Sequence, residues 1–290
     1  MSEPVPEPIQ SAPPGKAGTR PATSKNTASL KKFRILMLHG YTQSGPSFAT
    51  KTSALKKVLN TALKPRGLEA VLIYPTAPNK LSPHDLPSPG EEDKPDPEWY
   101  AWYRKDDRTG EYRYLDKGMN LIADVLREAR REAREGAEAV AEGEGEQGNR
   151  DGGVDCVLGF SQGACMAVML AAALDGSMRN SPAQHASWLE NVREANGHRP
   201  LKCAVMYGGF MAAPPDLEWV YSPKVATPTL HVIGTLDTII SEEASQKLAG
   251  KCKDAQVVIH PGGHFVPLGK MWSAVVVQFI SSQLTPQTTA

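Results

Sequence analysis

The stretch Val154-Asp155-Cys156-Val157-Leu158-Gly159-Phe160-Ser161-Gln162-Gly163-Ala164, running on as CMAVMLAAAL to Leu174, decides the fold. Its first half, Val154 and Cys156 to Leu158, is a short apolar run behind Asp151-Gly152-Gly153, the pattern of a buried parallel strand. From Ala164 onward, Ala, Met, Val and Leu follow one another for long enough to make a helix that is apolar almost all round. Between them, Gly159-Phe160-Ser161-Gln162-Gly163 matches G-x-S-x-G in the strand-to-helix setting of a nucleophile elbow. Such a reversal strains the backbone of the residue at its apex and projects that side chain beyond the sheet edge. Gly159 and Gly163 remove the Cβ atoms that would collide where strand and helix run closest. Ser161 then stands at a helix N-terminus, where unpaired N–H groups and the helix dipole favour negative charge, and the Gln162 N–H is placed to receive an oxyanion. The plain alternative is a turn capped by serine, so the rest of the chain must supply a base, an acid and a second oxyanion donor.

The chain has 290 residues, 40% of them hydrophobic and 22% charged, with 32 basic against 32 acidic side chains. That is ordinary globular composition. A balanced charge gives no reason to expect nucleic acid or an anionic membrane as partner. Cys156, Cys165, Cys203 and Cys252 form no C-x-x-C pair and read as buried, reduced thiols, with no metal site. Residues 1–30, rich in Pro, Ser, Thr and Ala, are expected to be a disordered tail. The tail lacks the apolar core of a secretory signal, and Glu3 and Glu7 argue against a mitochondrial presequence. No run is long and apolar enough to span a bilayer. The expected compartment is the cytoplasm, with the nucleus as an additional location.

A single folded domain is expected over residues 31–285. Phe33 to Leu38 is a strand; His39-Gly40-Tyr41 opens a loop, and a helix runs from about Pro46 to Leu63. Gly40 lets the backbone approach a ligand, and the Tyr41 N–H is the candidate second oxyanion donor. His39 reads as a histidine that hydrogen-bonds its loop and does no chemistry. Val71 to Tyr74 is the next strand. A long Pro-, Ser- and acid-rich loop follows over about 76–98, then Trp99-Tyr100-Ala101-Trp102-Tyr103, which either caps an apolar pocket or seals the core edge. A helix starts at Asp116, and residues 135–153 read as a flexible acidic and glycine-rich insertion. Residues 177–200 read as irregular, with one short helix near Trp188. Strands at Leu201 to Tyr207, Thr229 to Ile233 and Val257 to Ile259, a helix from Ser241 and a closing helix from Leu268 to Ile280 complete the chain.

Alternating strands and helices imply a mostly parallel sheet covered on both faces, with ligands bound beyond the carboxyl ends of the strands. Just past those ends lie His39 to Tyr41, Ser161 with Gln162, Phe210, Asp237 and His264. Ser161, Asp237 and His264 fall in the chain order of α/β-hydrolases. A serine hydroxyl needs a base to take its proton during attack, and an imidazole titrates near neutral pH. Asp237 would hold the other ring N–H and fix the tautomer. His260 is a rival base, stiffened by Pro261; His231 lies inside a strand; Glu242 and Glu243 suit a helix first turn; Ser44 lacks the elbow.

These residues also carry a family resemblance. Leu38-His39-Gly40-Tyr41 with Gln43-Ser44-Gly45, Gly159-Phe160-Ser161-Gln162-Gly163-Ala164, and His260-Pro261-Gly262-Gly263-His264-Phe265-Val266-Pro267 together resemble the FSH family of serine hydrolases, over about Phe33 to Leu284. The resemblance implies an α/β-hydrolase fold, a Ser161–Asp237–His264 triad, no metal or organic cofactor, and esterase activity on carboxylic esters. Some fungal members release products from polyketide synthases as thioesterases, which would make an acyl-carrier protein the partner. Trp102-Tyr103 also resembles an aromatic pair of that family. The glycine-rich insertion and the Pro-rich loop depart from it and leave the pocket's shape open. Trp102, Phe210, Met211 and Val266 are the candidate walls of an apolar acyl pocket, chosen for their places beside strand ends and the histidine loop. A non-catalytic scaffold on the same fold is the third reading.

Overall fold

A computed structural model describes residues 30–85, 98–141, 152–177 and 180–284. The expected tail, apart from residue 30, the middle of the Pro-rich loop at 86–97 and the Gly/Glu tract at 142–151 lie outside the described residues. In chain order the strands are β1 (Lys31–Leu38), β2 (Leu68–Ile73), the two-residue strands β3 (Asn79–Lys80), β4 (Tyr100–Ala101), β5 (Arg104–Lys105) and β6 (Tyr112–Arg113), then β7 (Cys156–Phe160), β8 (Cys203–Tyr207), β9 (Thr229–Gly234) and β10 (Ala255–His260). The helices are α1 (Gly45–Lys51), α2 (Ser53–Leu63), α3 (Leu115–Ala141), α4 (Gln162–Leu174), α5 (Ala183–Ala195), α6 (Glu242–Ala249) and α7 (Lys270–Ser282).

Six strands form one sheet in the order β10-β9-β8-β7-β1-β2, every neighbouring pair parallel. The alternation along β1 shows how both faces are used. Phe33, Ile35 and Met37 point into one core with Leu55, Leu59 and Phe279, while Leu36 and Leu38 point into the other with Met119, Ile122 and Met169. Helices α1, α2 and α7 thus cover one face, and α3, α4 and α5 the other. Every residue of α4 is buried, as its all-round apolar sequence requires. The chain winds outward from β1 to β2, then returns and winds the other way from β7 to β10. The order therefore reverses between β1 and β7, and the crevice beyond their carboxyl ends is where such sheets bind ligands. The Tyr41 loop follows one of these strands and Ser161 the other.

Three expectations need correction. The single helix from Pro46 to Leu63 is two, broken at Thr52 (φ −108°, ψ 12°). The Thr52 hydroxyl turns inward, donating to the Phe48 carbonyl and lying 2.8 Å from the Tyr74 hydroxyl. The insertion expected from residue 135 begins later, because α3 carries on through Ala141. Arg131 bridges Glu128 and Glu135 on its exposed face, the i,i+3 and i,i+4 pairing that extends a solvated helix. The segment near Trp188 is a thirteen-residue helix whose Trp188, Leu189 and Val192 are buried, with α3 as its main neighbour. All four cysteines are free and buried. Among the described residues no helix is long and apolar enough to cross a membrane.

Candidate active site

The elbow is as tight as its sequence demands. Ser161 sits at φ 53°, ψ −117° between β7 and α4, a left-handed backbone that a non-glycine residue adopts only under constraint. A Cβ on Gly163 would lie 2.1 Å from the Leu38 carbonyl oxygen, and one on Gly159 2.2 Å from that of Gly163. Only glycine lets β1, β7 and α4 converge there. The Ser161 amide donates to the Tyr207 carbonyl at 2.9 Å, so β8 fixes the apex from the far side.

Two loops bring the remaining groups to it. The segment after β9 and the segment after β10 are joined by the Thr235 N–H to the His260 carbonyl and the Leu236 N–H to the Gly262 carbonyl, each at 3.0 Å. Asp237 and His264 thereby meet, with Asp237 Oδ2 2.7 Å from His264 Nδ1. His264 Nε2 in turn lies 2.8 Å from Ser161 Oγ. The imidazole is held from the side by Phe160, ring centroids 4.7 Å apart. It lies over Gly208, where a Cβ would stand 3.2 Å from the ring. Asp237 Oδ1 accepts from the Ile239 and Ile240 amides at 2.9 and 2.8 Å, so both carboxylate oxygens are engaged.

Tyr41 and Gln162 both line the cavity that holds Ser161. Among the described residues neither of their backbone amides has an acceptor. The loop that carries Tyr41 is braced by His39, whose Nδ1 donates to the Gly40 carbonyl at 2.8 Å and whose Nε2 accepts from the Ala77 amide at 3.0 Å. Burial pushes the His39 pKa down to about 4, so the ring is neutral near pH 7. His39 therefore has the loop-holding place expected of it. His260 caps its own loop, with Nδ1 accepting from the Gly262 amide at 3.2 Å and its ring against Phe265 and Trp272. His231 is buried within β9.

The wall residues divide. Phe210 lines the Ser161 cavity, of about 830 Å³. Met211 lines a neighbouring one of about 670 Å³, shared with Phe210, Ile239 and Asp237. Trp102 and Val266 line neither and are corrected. Trp102 is fully buried and donates from Nε1 to the His39 carbonyl at 2.9 Å, so it seals the core edge and ties down the loop that carries Tyr41. Val266 packs on the opposite core, under the sheet.

Two features escaped the sequence reading. The Gln162 side chain is a clamp, its Oε1 accepting from the Trp102 amide at 2.8 Å and its Nε2 donating to the Tyr103 carbonyl at 2.9 Å. The second is a hairpin of β5 and β6 that builds one side of the cavity with Tyr103, Tyr112, Arg113 and Tyr114. Its signal was present in Asp106-Asp107-Arg108-Thr109-Gly110: Asp106 Oδ1 accepts from the Arg108 and Thr109 amides, and Gly110 takes φ 78°. Among the described residues no group of three or more His, Cys, Asp or Glu side chains is placed to hold a metal ion.

Comparison with known proteins gives a consistent picture. A family model described as serine hydrolase (FSH1) matches residues 28–276. Esterase OVCA2 of Danio rerio is 30% identical over 260 residues, covering 82% of this chain and 92% of that protein. A Schizosaccharomyces pombe protein named dihydrofolate reductase is 28% identical over 267 residues, and the match takes in 89% of this chain but only 49% of that protein. The chain thus spans about half the length of this relative. Among solved structures, that of esterase PE8 superposes with a TM-score of 0.52 at 20% identity, covering 88% of this chain and 94% of that one, a likeness of fold alone.

Proposed function

The chain belongs to the FSH1 serine hydrolase family, and from that premise we propose that it hydrolyses carboxylic esters of apolar acyl groups through an acyl-enzyme on Ser161. The observation that carries the reading is the unbroken chain of contacts from Asp237 through His264 to Ser161, 2.7 and 2.8 Å long. Ser161 Oγ attacks the ester carbonyl while His264 Nε2 takes its proton. The imidazolium so formed is stabilised by Asp237, which keeps Nδ1 protonated and the ring aimed. The developing oxyanion is received by the Tyr41 and Gln162 amides, and losing one such donor typically costs about 3 kcal/mol of barrier. Collapse expels the alcohol, which leaves with the proton from His264. Water then attacks the acyl-enzyme, its proton passing to His264, and the carboxylic acid departs as Ser161 regains its hydrogen.

Support comes also from what surrounds the contact. The serine is held in a strained conformation, its two candidate donors have no competing acceptor among the described residues, and Ser161, Tyr41 and Gln162 line one cavity at the reversal of strand order. A fluorophosphonate probe tests the reading directly. The wild type should label rapidly and Ser161→Ala not at all; equal labelling of the two, or none in the wild type, would overturn it. Thioester hydrolysis would use the same groups, and an acyl-coenzyme A series beside the esters separates the two activities.

A further inference from the structure

The Ser161 cavity is lined in part by charged side chains, Asp85, Arg104, Lys105, Asp106, Asp107 and Arg113, but its apolar surface is aromatic where an alkyl-chain pocket would be aliphatic. Tyr41, Tyr112, Tyr114 and Phe210 supply ring surface, joined by Tyr103, itself only 3% exposed, whereas Ala213 and Ile240 are the aliphatic side chains among its lining residues. Tyr103 and Tyr112 are already stacked, centroids 3.9 Å apart and planes 12° from parallel. The wall they make is rigid. Gln162 holds the Tyr103 carbonyl, and the Tyr112 hydroxyl accepts from the Ala213 amide at 3.0 Å, tying the hairpin across to the Phe210 loop. Burial keeps the Tyr112 phenol protonated, with its pKa pushed up to about 12. Flat, fixed ring faces favour a flat partner, because aromatic pairs gain from stacked and edge-to-face geometries beyond the area they bury.

Tyr114 stands apart from the others. It is 44% exposed, yet its backbone is at φ 63°, the region that favours glycine. It occupies the turn between β6 and α3, and the Gly118 amide of the first helical turn donates to its carbonyl. Nearly half exposed, the side chain is not fixed there by full burial in a core, and residues in such sparsely populated conformations gather where a side chain serves a site. The Lys117 ammonium lies 4.6 Å from the centroid of its ring.

We propose that this cavity takes an aryl-bearing ester, its ring packed among the tyrosines, and that Tyr114 is a specificity-determining residue for that aryl group. The proposal rests on the ester-hydrolase reading above and narrows its apolar group to an aromatic one. The test compares pairs matched in carbon count, the first sharing its leaving group and the second its acyl group. Methyl 3-phenylpropanoate is set against methyl 3-cyclohexylpropanoate for the acyl side, and benzyl acetate against cyclohexylmethyl acetate for the alcohol side. In at least one pair kcat/KM should favour the aromatic ester by about tenfold, largely through KM. Tyr114→Phe should keep that ratio. Tyr114→Gly, which suits the left-handed backbone and so protects the fold, should reduce it several-fold. Ratios near one in both pairs, or a ratio unmoved in the glycine variant, would overturn the proposal while wild-type probe labelling at Ser161 left the hydrolase reading standing. Failure of that labelling would remove both.

Discussion

His264 reaches Asp237 Oδ2 at 2.7 Å while Oδ1 of the same carboxylate is occupied by two backbone amides, those of Ile239 and Ile240. The carboxylate therefore cannot swing away from the imidazole without orphaning two donors. Asp237→Asn keeps the shape and could keep the backbone contacts, but its amide group, unlike a carboxylate, can donate to Nδ1 and favour the wrong tautomer. The expected loss in kcat is about 10³–10⁴-fold, with KM changed little. Steady-state kinetics on one ester checks it, and a loss under tenfold would remove Asp237 from the proton chain.

Gln162 offers two separable contributions, its amide and its side chain. Gln162→Ala leaves the backbone N–H but strips partners from the Trp102 amide and the Tyr103 carbonyl, both within buried structure. Leaving two such groups unsatisfied costs about 2–6 kcal/mol. The wall carrying Tyr103 should loosen with it. Urea unfolding should show the lost stability, and KM should rise more than kcat falls. An unchanged unfolding midpoint would mean that the clamp is not holding the wall.

How much of this was legible beforehand follows from the range of each signal. The elbow could be read because strand, glycine, serine, glycine and apolar helix are consecutive, and each is dictated by local sterics. Asp237 and His264 could be read because they lie just past strands, and a parallel sheet brings strand ends to one edge. The pocket could not. Trp102 and Val266 sit next to site residues in sequence, yet the loop between β10 and α7 lays Val266 on the core beneath the sheet and the His39 carbonyl draws Trp102 inward. Tyr112 and Tyr114 reach the cavity only because a two-residue hairpin folds back on itself, and strands that short have no periodicity to detect. The break at Thr52 likewise depends on a hydroxyl finding Tyr74, a partner twenty-two positions away.

Buried histidines set an acid limit on stability. His39 and His231 are buried, and burial lowers each pKa from 6.5 to about 4. Between those values the unfolded chain binds protons that the folded chain refuses, so stability falls as pH falls from about 6.5 towards 4. Each contributes up to about 3 kcal/mol of that loss. Among the described residues the buried Nδ1 of His231 has no partner, and its Nε2 lies 3.1 Å from the Thr229 hydroxyl. In His231→Leu the decline between pH 7 and 4.5, followed by urea midpoints, should be about 2 kcal/mol shallower than in the wild type. Parallel declines would exonerate His231.

Two glycines make opposite forecasts. Gly136 is an exposed residue of α3 where an added Cβ meets nothing within 4 Å. Gly136→Ala gains helix propensity without a clash and should stabilise the protein by up to about 1 kcal/mol. Esterase rates should not change. At Gly163 the added Cβ would meet the carbonyl oxygens of Leu38 and His39 at 2.1 and 2.5 Å, both backbone and neither free to rotate away. In Gly163→Ala, α4 and β1 must part by more than a few tenths of an ångström, which carries Ser161 and the Tyr41 loop away from each other. Overpacking of that kind costs about 1–3 kcal/mol, and a displacement approaching 1 Å costs roughly 10²-fold in rate. Thermal unfolding and kcat measured on both variants decide the matter: if Gly163→Ala remains fully active, the elbow does not need the close approach of strand and helix from which the whole site has been built.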